Sequence, residues 1–230
     1  MSQAELALER VMFIDTSKCI GCKACQVACK QWHQLPAETT TFTGSYQNPP
    51  NVSGDTYTVV KFTEAAGEGM TSGLKWLFFK DMCRHCFRPK CARVCSGGVS
   101  RTQEGFVLFN STANPDNLKL RRGMTTMTDA CPYGIPQLNT VTNTYVKCDF
   151  CYDRFIGNPT AKTACEQACP VNAIKTGSYA DIYGNNNSIA RQAYRAAKRT
   201  HLSPRIYMGK GKGRTNVIYL LTDTPAAYGL

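Results

Sequence analysis

Apolar residues in this chain come in short runs. The longest, Trp76–Phe79 and Val217–Leu221, are only four and five residues, far short of the roughly 20 that a membrane-spanning helix needs. Bounded by turn residues, such runs predict strands at 11–15 (VMFID), at 105–110 (GFVLFN) and at 217–221 (VIYLL). After the Gly-Asn-Asn-Asn turn at 184–187, residues 188–202 predict a helix capped by Ser188. Its Arg191, Arg195, Lys198 and Arg199 read as a solvated face, with docking of an acidic redox partner as the alternative. Residues 31–75, rich in Thr, Gly, Asn and Pro, predict a long ordered loop. The Gly-Lys-Gly-Lys-Gly-Arg stretch at 209–214 predicts a flexible loop and lacks the spacing of a P-loop. At the N-terminus, Glu5, Glu9 and Arg10 occupy positions where a secretory signal would be apolar. The chain is therefore expected to be soluble, with neither signal nor anchor of its own.

Composition changes this picture through one residue type. Thirteen of the 230 residues are cysteine, an odd number that no purely disulfide framework uses up. Cys19, Cys22, Cys25 and Cys29 are spaced C-x2-C-x2-C-x3-C. That spacing turns three sulfurs toward one centre and, in two-cluster ferredoxins, gives the fourth to a second iron–sulfur cluster. A second run holds Cys83, Cys86, Cys91 and Cys95, and another holds Cys148, Cys151, Cys165 and Cys169, followed by Pro170. Between them Cys131-Pro132 keeps the ending of such a run, but four, seven and ten residues upstream stand Met127, Met124 and Arg121. The runs read as an internal repeat of cluster loops.

The crossing rule then allows an assignment. If the first and last runs form one module, Cys19, Cys22, Cys25 and Cys169 hold one [4Fe-4S] cluster, and Cys29, Cys148, Cys151 and Cys165 hold another. If the middle runs form the second module, Cys83, Cys86, Cys91 and Cys131 hold a third. A fourth would need Arg121, Met124 and Met127 beside Cys95, and these cannot ligate it. Cys95 is left as a buried, inert thiol. Zinc also binds C-x2-C pairs, but a C-x2-C-x2-C triplet with a distant C-P fits a zinc knuckle poorly. The formal charge of +11 invites a nucleic-acid partner, but three clusters at about −2 each bring it to about +5, so much of the excess base reads as internal compensation. Trp32, Trp76 and His85, near the cluster loops in sequence, are expected to shield clusters by packing rather than to relay electrons. The three histidines are too scattered in sequence to suggest a haem or zinc site.

Together with "CQVACKQWHQLPAE" (25–38), "TGSYQNPP" (43–50), "KFTE" (61–64), "WLFFKDMCRHC" (76–86), "ACPYGIP" (130–136) and "VIYLLT" (217–222), these runs resemble the iron–sulfur beta subunits of molybdenum and tungsten bis-pterin oxidoreductases. The soluble formate dehydrogenase beta subunit is the most similar type. That family normally carries four complete cysteine runs, and the gutted third run departs from its full pattern. The resemblance implies an α+β fold of two bacterial-ferredoxin-like modules with loop insertions and a C-terminal helix–strand extension. The expected boundaries are 11–30 with 141–176 for the first module, 31–75 for the insertion, 76–140 for the second module and 177–230 for the extension. It also implies a non-catalytic electron-transfer subunit, with a molybdopterin (tungsten or molybdenum) alpha subunit as partner and a soluble acceptor or further subunit beyond it. Electrons would enter at the Cys19 cluster and pass by the Cys29 cluster to the Cys83 cluster. Nitrate, arsenate, polysulfide and dimethyl-sulfoxide-type reductases stay open as alternative partners. A periplasmic home, reached by co-export with the catalytic subunit, is expected, with the cytoplasm as the alternative.

Overall fold

The structure is a computed structural model describing residues 8–66, 73–199, 204–209, 214–228 and 230. Its centre is a mixed sheet ordered β8-β1-β10-β9, made of Ile174–Ser178 (β8), Arg10–Asp15 (β1), Val217–Leu221 (β10) and Arg205–Tyr207 (β9). β1 runs parallel to β10, with Met12 opposite Val217, and antiparallel to β8. Alternation along these strands splits their side chains between two faces. Val11, Phe13, Ile218 and Leu220 face one way and pack with Ile182, Ala190 and Ala197. The last two belong to the helix Ile189–Arg199, where a small residue every seventh position lets the helix lie close to the sheet. Met12, Ile14, Val217, Tyr219 and Leu221 face the other way, into a core shared with Cys25, Cys83, Cys148 and Cys165. With both faces covered, every residue of β10 is buried, which is why VIYLL reads as an unbroken apolar run.

Around this sheet lie short helices: Ala24–Trp32 (α1), Lys90–Val94 (α2), Met127–Ala130 (α3), Tyr152–Phe155 (α4), Ala164–Gln167 (α5) and Ile189–Arg199 (α6). A hairpin pairs Val59–Ala66 (β2) with Leu74–Asp81 (β3). Two small ribbons, Val99–Arg101 (β4) with Val107–Phe109 (β5) and Gln137–Asn139 (β6) with Thr144–Val146 (β7), complete the sheets. The central sheet has four strands, whereas the hairpin and the two ribbons have two each. Among the described residues no helix is long and apolar enough to cross a membrane.

The strands expected at 11–15, within 105–110 and at 217–221 form. Three expectations change. Residues 59–66, assigned to the loop insertion, form β2, and the boundary at 75/76 falls inside the hairpin. The 177–230 segment is no appendage, because β10 sits between β1 and β9 and supplies the middle of the central sheet. The helix after the Asn-rich turn forms, but Ser188 Oγ has no hydrogen-bond partner and caps nothing; Ser188 contributes only its carbonyl, which accepts from the Gln192 N–H at 3.0 Å. Residues 210–213 of the expected flexible loop, and 200–202 of the expected helix, lie outside the described residues.

The irregular stretch before β2 is tied to α1 by two side chains. Lys30 Nζ donates to the carbonyls of Pro36 (2.7 Å) and Asp55 (2.8 Å) and pairs with Glu38 at 3.2 Å. Gln26 accepts from the Val60 N–H at 3.1 Å and donates to the Asn48 carbonyl at 3.4 Å. Glu38 also accepts from the hydroxyls of Ser53 and Thr56. Burial alone would raise its carboxyl, but these donors and Lys30 outweigh it and hold Glu38 below the usual range. A carboxylate so depressed stabilises the fold above its ordinary pKa, and that contribution is lost as pH falls through the folded value. Nicking between residues 36 and 58 by an acid-active protease should therefore rise only as pH falls below the ordinary glutamate value of about 4.3 and through the lower folded one, and Glu38→Gln should nick readily already at neutral pH.

Candidate metal centre

The loop between β1 and α1 presents Cys19 and Cys22, and the first turn of α1 presents Cys25. Gly21 within the loop has φ +67°, and a Cβ there would lie 2.9 Å from the rings of Phe62 and Phe78, so space and backbone both require glycine. Cys169 follows α5, which packs against α1. Burial raises the Cys19 thiol, and the sulfurs of Cys169 and Cys22 raise it further. Burial pushes Cys25 up to about 12, with the sulfurs of Cys165, Cys19 and Cys169 adding to it. Cys29, one helical turn on, turns toward other neighbours: burial first, then Cys148, Cys165 and Cys151, hold its thiol well above the usual value. Cys151 is likewise raised by burial and by Cys148 and Cys165. In the other half, burial pushes Cys86 and Cys91 up to about 12, and both feel Cys83 and Cys131.

Of the three expected sets, the fold brings Cys83, Cys86, Cys91 and Cys131 together around one cavity and gathers the other two sets, the eight cysteines of the first and last runs, side by side, with Cys165 acting on Cys25 across them; none is in a disulfide. Thiols crowded and buried this way are unfavourable as free anions but form the donor set that a cationic iron core takes up. The third neighbourhood lines a cavity of about 330 Å³, so four sulfurs converge on a space of cofactor size. Backbone N–H groups point at the sulfurs: Phe150 to Cys148 (3.4 Å), His85 to Cys83 (3.4 Å) and Ala173 to Cys169 (3.3 Å). Such bonds are among the levers on cluster potential.

Cys95 stands apart. It is fully buried in a cluster with Val94, Val99, Val107, Ala113, Met127 and Tyr145, and its Sγ lies 3.6 Å from the Thr112 carbonyl. Burial raises its thiol, and no other cysteine is among the groups that act on it. Met127, at one ligand position of the gutted run, is fully buried beside it; Met124 is half-buried and Arg121 exposed. The loop is instead closed by a capping box, in which Thr126 and Asp129 satisfy each other's backbone N–H groups. An apolar plug thus occupies the region that the missing run would serve.

Buried cations were not expected site residues. Lys80 is 3% exposed on the β3 face that also carries Phe78 and Trp76, and its Nζ donates to Thr58 Oγ1 at 2.6 Å. Among the described residues it has no carboxylate partner. Burial would lower the ammonium, but the sulfurs of Cys165, Cys25, Cys148 and Cys29 outweigh it and hold Lys80 above the ordinary lysine range. Lys147, also buried, donates to the carbonyls of Val107 and Cys148 and acts on Cys91. Arg84 lies about 5 Å from the ring centres of Phe79, Tyr133 and Tyr219, pairs with Asp81 at 2.8 Å, and acts on Cys86 and Cys131. The only sequence signal for Lys80 was a lysine sharing a strand face with Trp76 and Phe78.

The fold also gathers what the sequence scattered. His33 Nε2 lies 2.8 Å from Asp149 Oδ1, and Cys151 lies within metal-ligand reach of both. Asp149 Oδ1 also accepts from the Cys151 N–H at 2.8 Å, so the carboxylate is already engaged. His85 is fully buried and neutral: burial drives its pKa well below the usual value, Nδ1 accepts from the Val107 N–H (3.0 Å) and Nε2 donates to the Cys148 carbonyl (3.1 Å). It braces the two halves, as a packing role requires. Trp76 packs with Tyr46, Phe62 and Phe78 against the first cysteine loop, whereas Trp32 lies on the outer side of α1 beneath Arg154.

Comparison with known proteins identifies the same chemistry. A 4Fe-4S dicluster domain family matches residues 74–179, and a 4Fe-4S binding domain family matches residues 10–31. The formate dehydrogenase beta subunit of Megalodesulfovibrio gigas is 36% identical over 180 residues, covering 76% of this chain and 79% of the relative. The nitrate-inducible formate dehydrogenase iron–sulfur subunit of Escherichia coli is 35% identical over 226 residues, 96% of this chain and 71% of the relative. The formate dehydrogenase 2 subunit beta (cytochrome c-553) of Nitratidesulfovibrio vulgaris is 31% identical over 229 residues, 96% of this chain and 97% of the relative.

A cation beside a cluster favours its reduced, more negative state. Lys80→Met should therefore lower the potentials of the clusters bound by its neighbouring cysteines, by on the order of 1–2 kcal/mol per electron, and leave the Cys83 neighbourhood nearly unchanged. An EPR-monitored redox titration separates these signals.

Proposed function

The chain belongs to the iron–sulfur (beta) subunits of formate dehydrogenases, and from that premise we propose that it relays electrons through three [4Fe-4S] clusters. One end of the relay serves a molybdopterin (tungsten or molybdenum) catalytic subunit that interconverts formate and carbon dioxide, and the other a soluble acceptor. The observation that carries this reading is the convergence of Cys83, Cys86, Cys91 and Cys131 on one cavity and the mutual influence of the cysteines of the first and last runs, with the thirteenth, Cys95, sealed in an apolar plug. Cys19, Cys22, Cys25 and Cys169 would hold the first cluster; Cys29, Cys148, Cys151 and Cys165 the second; Cys83, Cys86, Cys91 and Cys131 the third. When bound, the clusters supply reversible one-electron chemistry.

The rest of the task falls to the chain. Its backbone N–H groups donate to ligand sulfurs, Lys80, Lys147 and Arg84 place fixed positive charge near them, and the core of Ile14, Phe79, Phe150 and Tyr219 keeps water away. The exposed surface at the first loop is apolar and aromatic: Ile20, Val27, Tyr46 and Trp76 are all exposed, with Tyr46 and Trp76 in edge-on contact at 5.0 Å. Such a face suits a permanent subunit interface and supports the first loop as the catalytic subunit's side.

The ligand assignment has a direct test in single-cysteine variants of the purified complex. Cys131→Ala should remove up to about four of about twelve irons in this subunit and one EPR signal. Cys95→Ala should remove none and cost about 1 kcal/mol of stability from the lost core volume. Equal iron loss in both variants would overturn the assignment.

A further inference from the structure

We propose that the mouth of the cavity holding Cys83, Cys86, Cys91 and Cys131 is the docking surface for a mobile, acidic electron-carrier protein. This rests on the reading above that those cysteines hold a cluster. The cavity opens to the surface, and Cys86, Cys91 and Cys131 are only partly buried. Arg88, Lys90 and Arg93 line it and are exposed, and no carboxylate lines it. Several other bases are matched: Lys18 with Asp15, Lys30 with Glu38, Lys75 with Asp223, and both Arg101 and Arg214, the latter at the inner lining of the cavity, with Glu9. Arg88, Lys90 and Arg93 make no ion pair among the described residues. The basic area extends beyond the rim. The Lys119 N–H donates to the Val94 carbonyl at 2.7 Å, which pins the exposed Lys119, Arg121 and Arg122 segment beside α2.

Two contrasts point to this mouth rather than another surface. The first cysteine loop is bordered by the exposed Ile20, Val27, Tyr46 and Trp76, and its lysines are engaged, Lys18 with Asp15 and Lys23 with the Tyr46 carbonyl, which suits a lasting interface, whereas an unpaired cationic rim suits a short-lived one. Charge steers encounter and speeds association without demanding slow release. The other basic surface, the exposed face of α6, covers the side of the central sheet that points away from the cysteine core. A carrier docked there would be separated from every cysteine neighbourhood by the sheet. At the cavity mouth it would sit directly over one.

The test measures binding, not turnover, on the intact iron-loaded complex. The probes are an acidic flavodoxin and a basic cytochrome c of similar size, titrated by calorimetry at low and high salt. Expected are tighter binding of flavodoxin than of cytochrome c and a steep loss of flavodoxin affinity with salt. Weakening by at least tenfold is expected in an Arg88→Glu, Lys90→Glu, Arg93→Glu variant, with its iron content unchanged. If charge reversal costs iron, the neutral set Arg88→Gln, Lys90→Gln, Arg93→Gln takes its place, with carbodiimide cross-linking of the unaltered complex expected to join flavodoxin carboxylates to Lys90. Equal affinity for both probes, no effect of the substitutions, or equal capture of anionic lipid vesicles would overturn the proposal. A wild-type complex lacking the third cluster's iron would instead overturn the functional reading beneath it. A fully loaded complex that ignores flavodoxin overturns the docking surface alone.

Discussion

Everything in this molecule depends on burying many sulfur anions in a small chain. Isolated charge in a protein interior is heavily penalised, and here twelve cysteines act on one another in and around the core. The chain meets that constraint with cations rather than carboxylates. Among the described residues Lys80 lies among the sulfurs of Cys165, Cys25, Cys148 and Cys29 with a single hydroxyl partner, Lys147 donates to two carbonyl oxygens and lies over the Phe109 ring, and Arg84 has one carboxylate, the Met82 carbonyl and three rings. A buried ammonium without a carboxylate is stable only if something else nearby is negative. Each of these cations therefore reports on the anionic groups it faces. Part of the +11 formal charge is thereby internal, and the +11 alone is a poor guide to partners.

The same constraint orders the rest of the structure. The central sheet buries one face against the cysteine core and the other beneath α6, so the sulfurs lie on one side of a two-sided wall. The β2–β3 hairpin closes over the first two neighbourhoods and brings Lys80 in on the same strand face that walls the first loop with Phe78 and Trp76. What remains at the surface differs at the two ends: aromatic and aliphatic around the first loop, cationic around the third. The proposed docking of a catalytic subunit at the first loop and of a carrier at the third cavity would use that difference.

The cysteine spacing made much of the site legible, because three sulfurs two residues apart have few ways to face anything but a common centre. The gutted third run was also legible: losing ligands left Met127 free to fill an apolar core, and the structure puts it beside Cys95. Topology was harder to see. VIYLL was recognisable as a strand, but nothing local says that it slots between β1 and β9, some 200 residues from its parallel neighbour. Strand β2 was hidden by its turn-rich approach, with Lys61 and Glu64 interrupting an apolar pattern that only pairing with β3 completes. Ser188 carried the right residue type for a cap, yet its hydroxyl is buried without a partner. Lys80 and the His33–Asp149 pair were out of reach because the sulfurs around Lys80 come from 51 (Cys29) to 85 (Cys165) positions away, and Asp149 lies 116 from His33.

The central claim is that this subunit carries three clusters and that its third cysteine run serves one of them with Cys131 alone. The most direct measurement is iron and acid-labile sulfide per chain on anaerobically purified complex, with reduced-state EPR, after subtracting any cluster of the catalytic subunit. The account predicts about twelve of each. About sixteen would mean that a fourth cluster sits where Met124, Met127 and Cys95 form an apolar plug, and would contradict it.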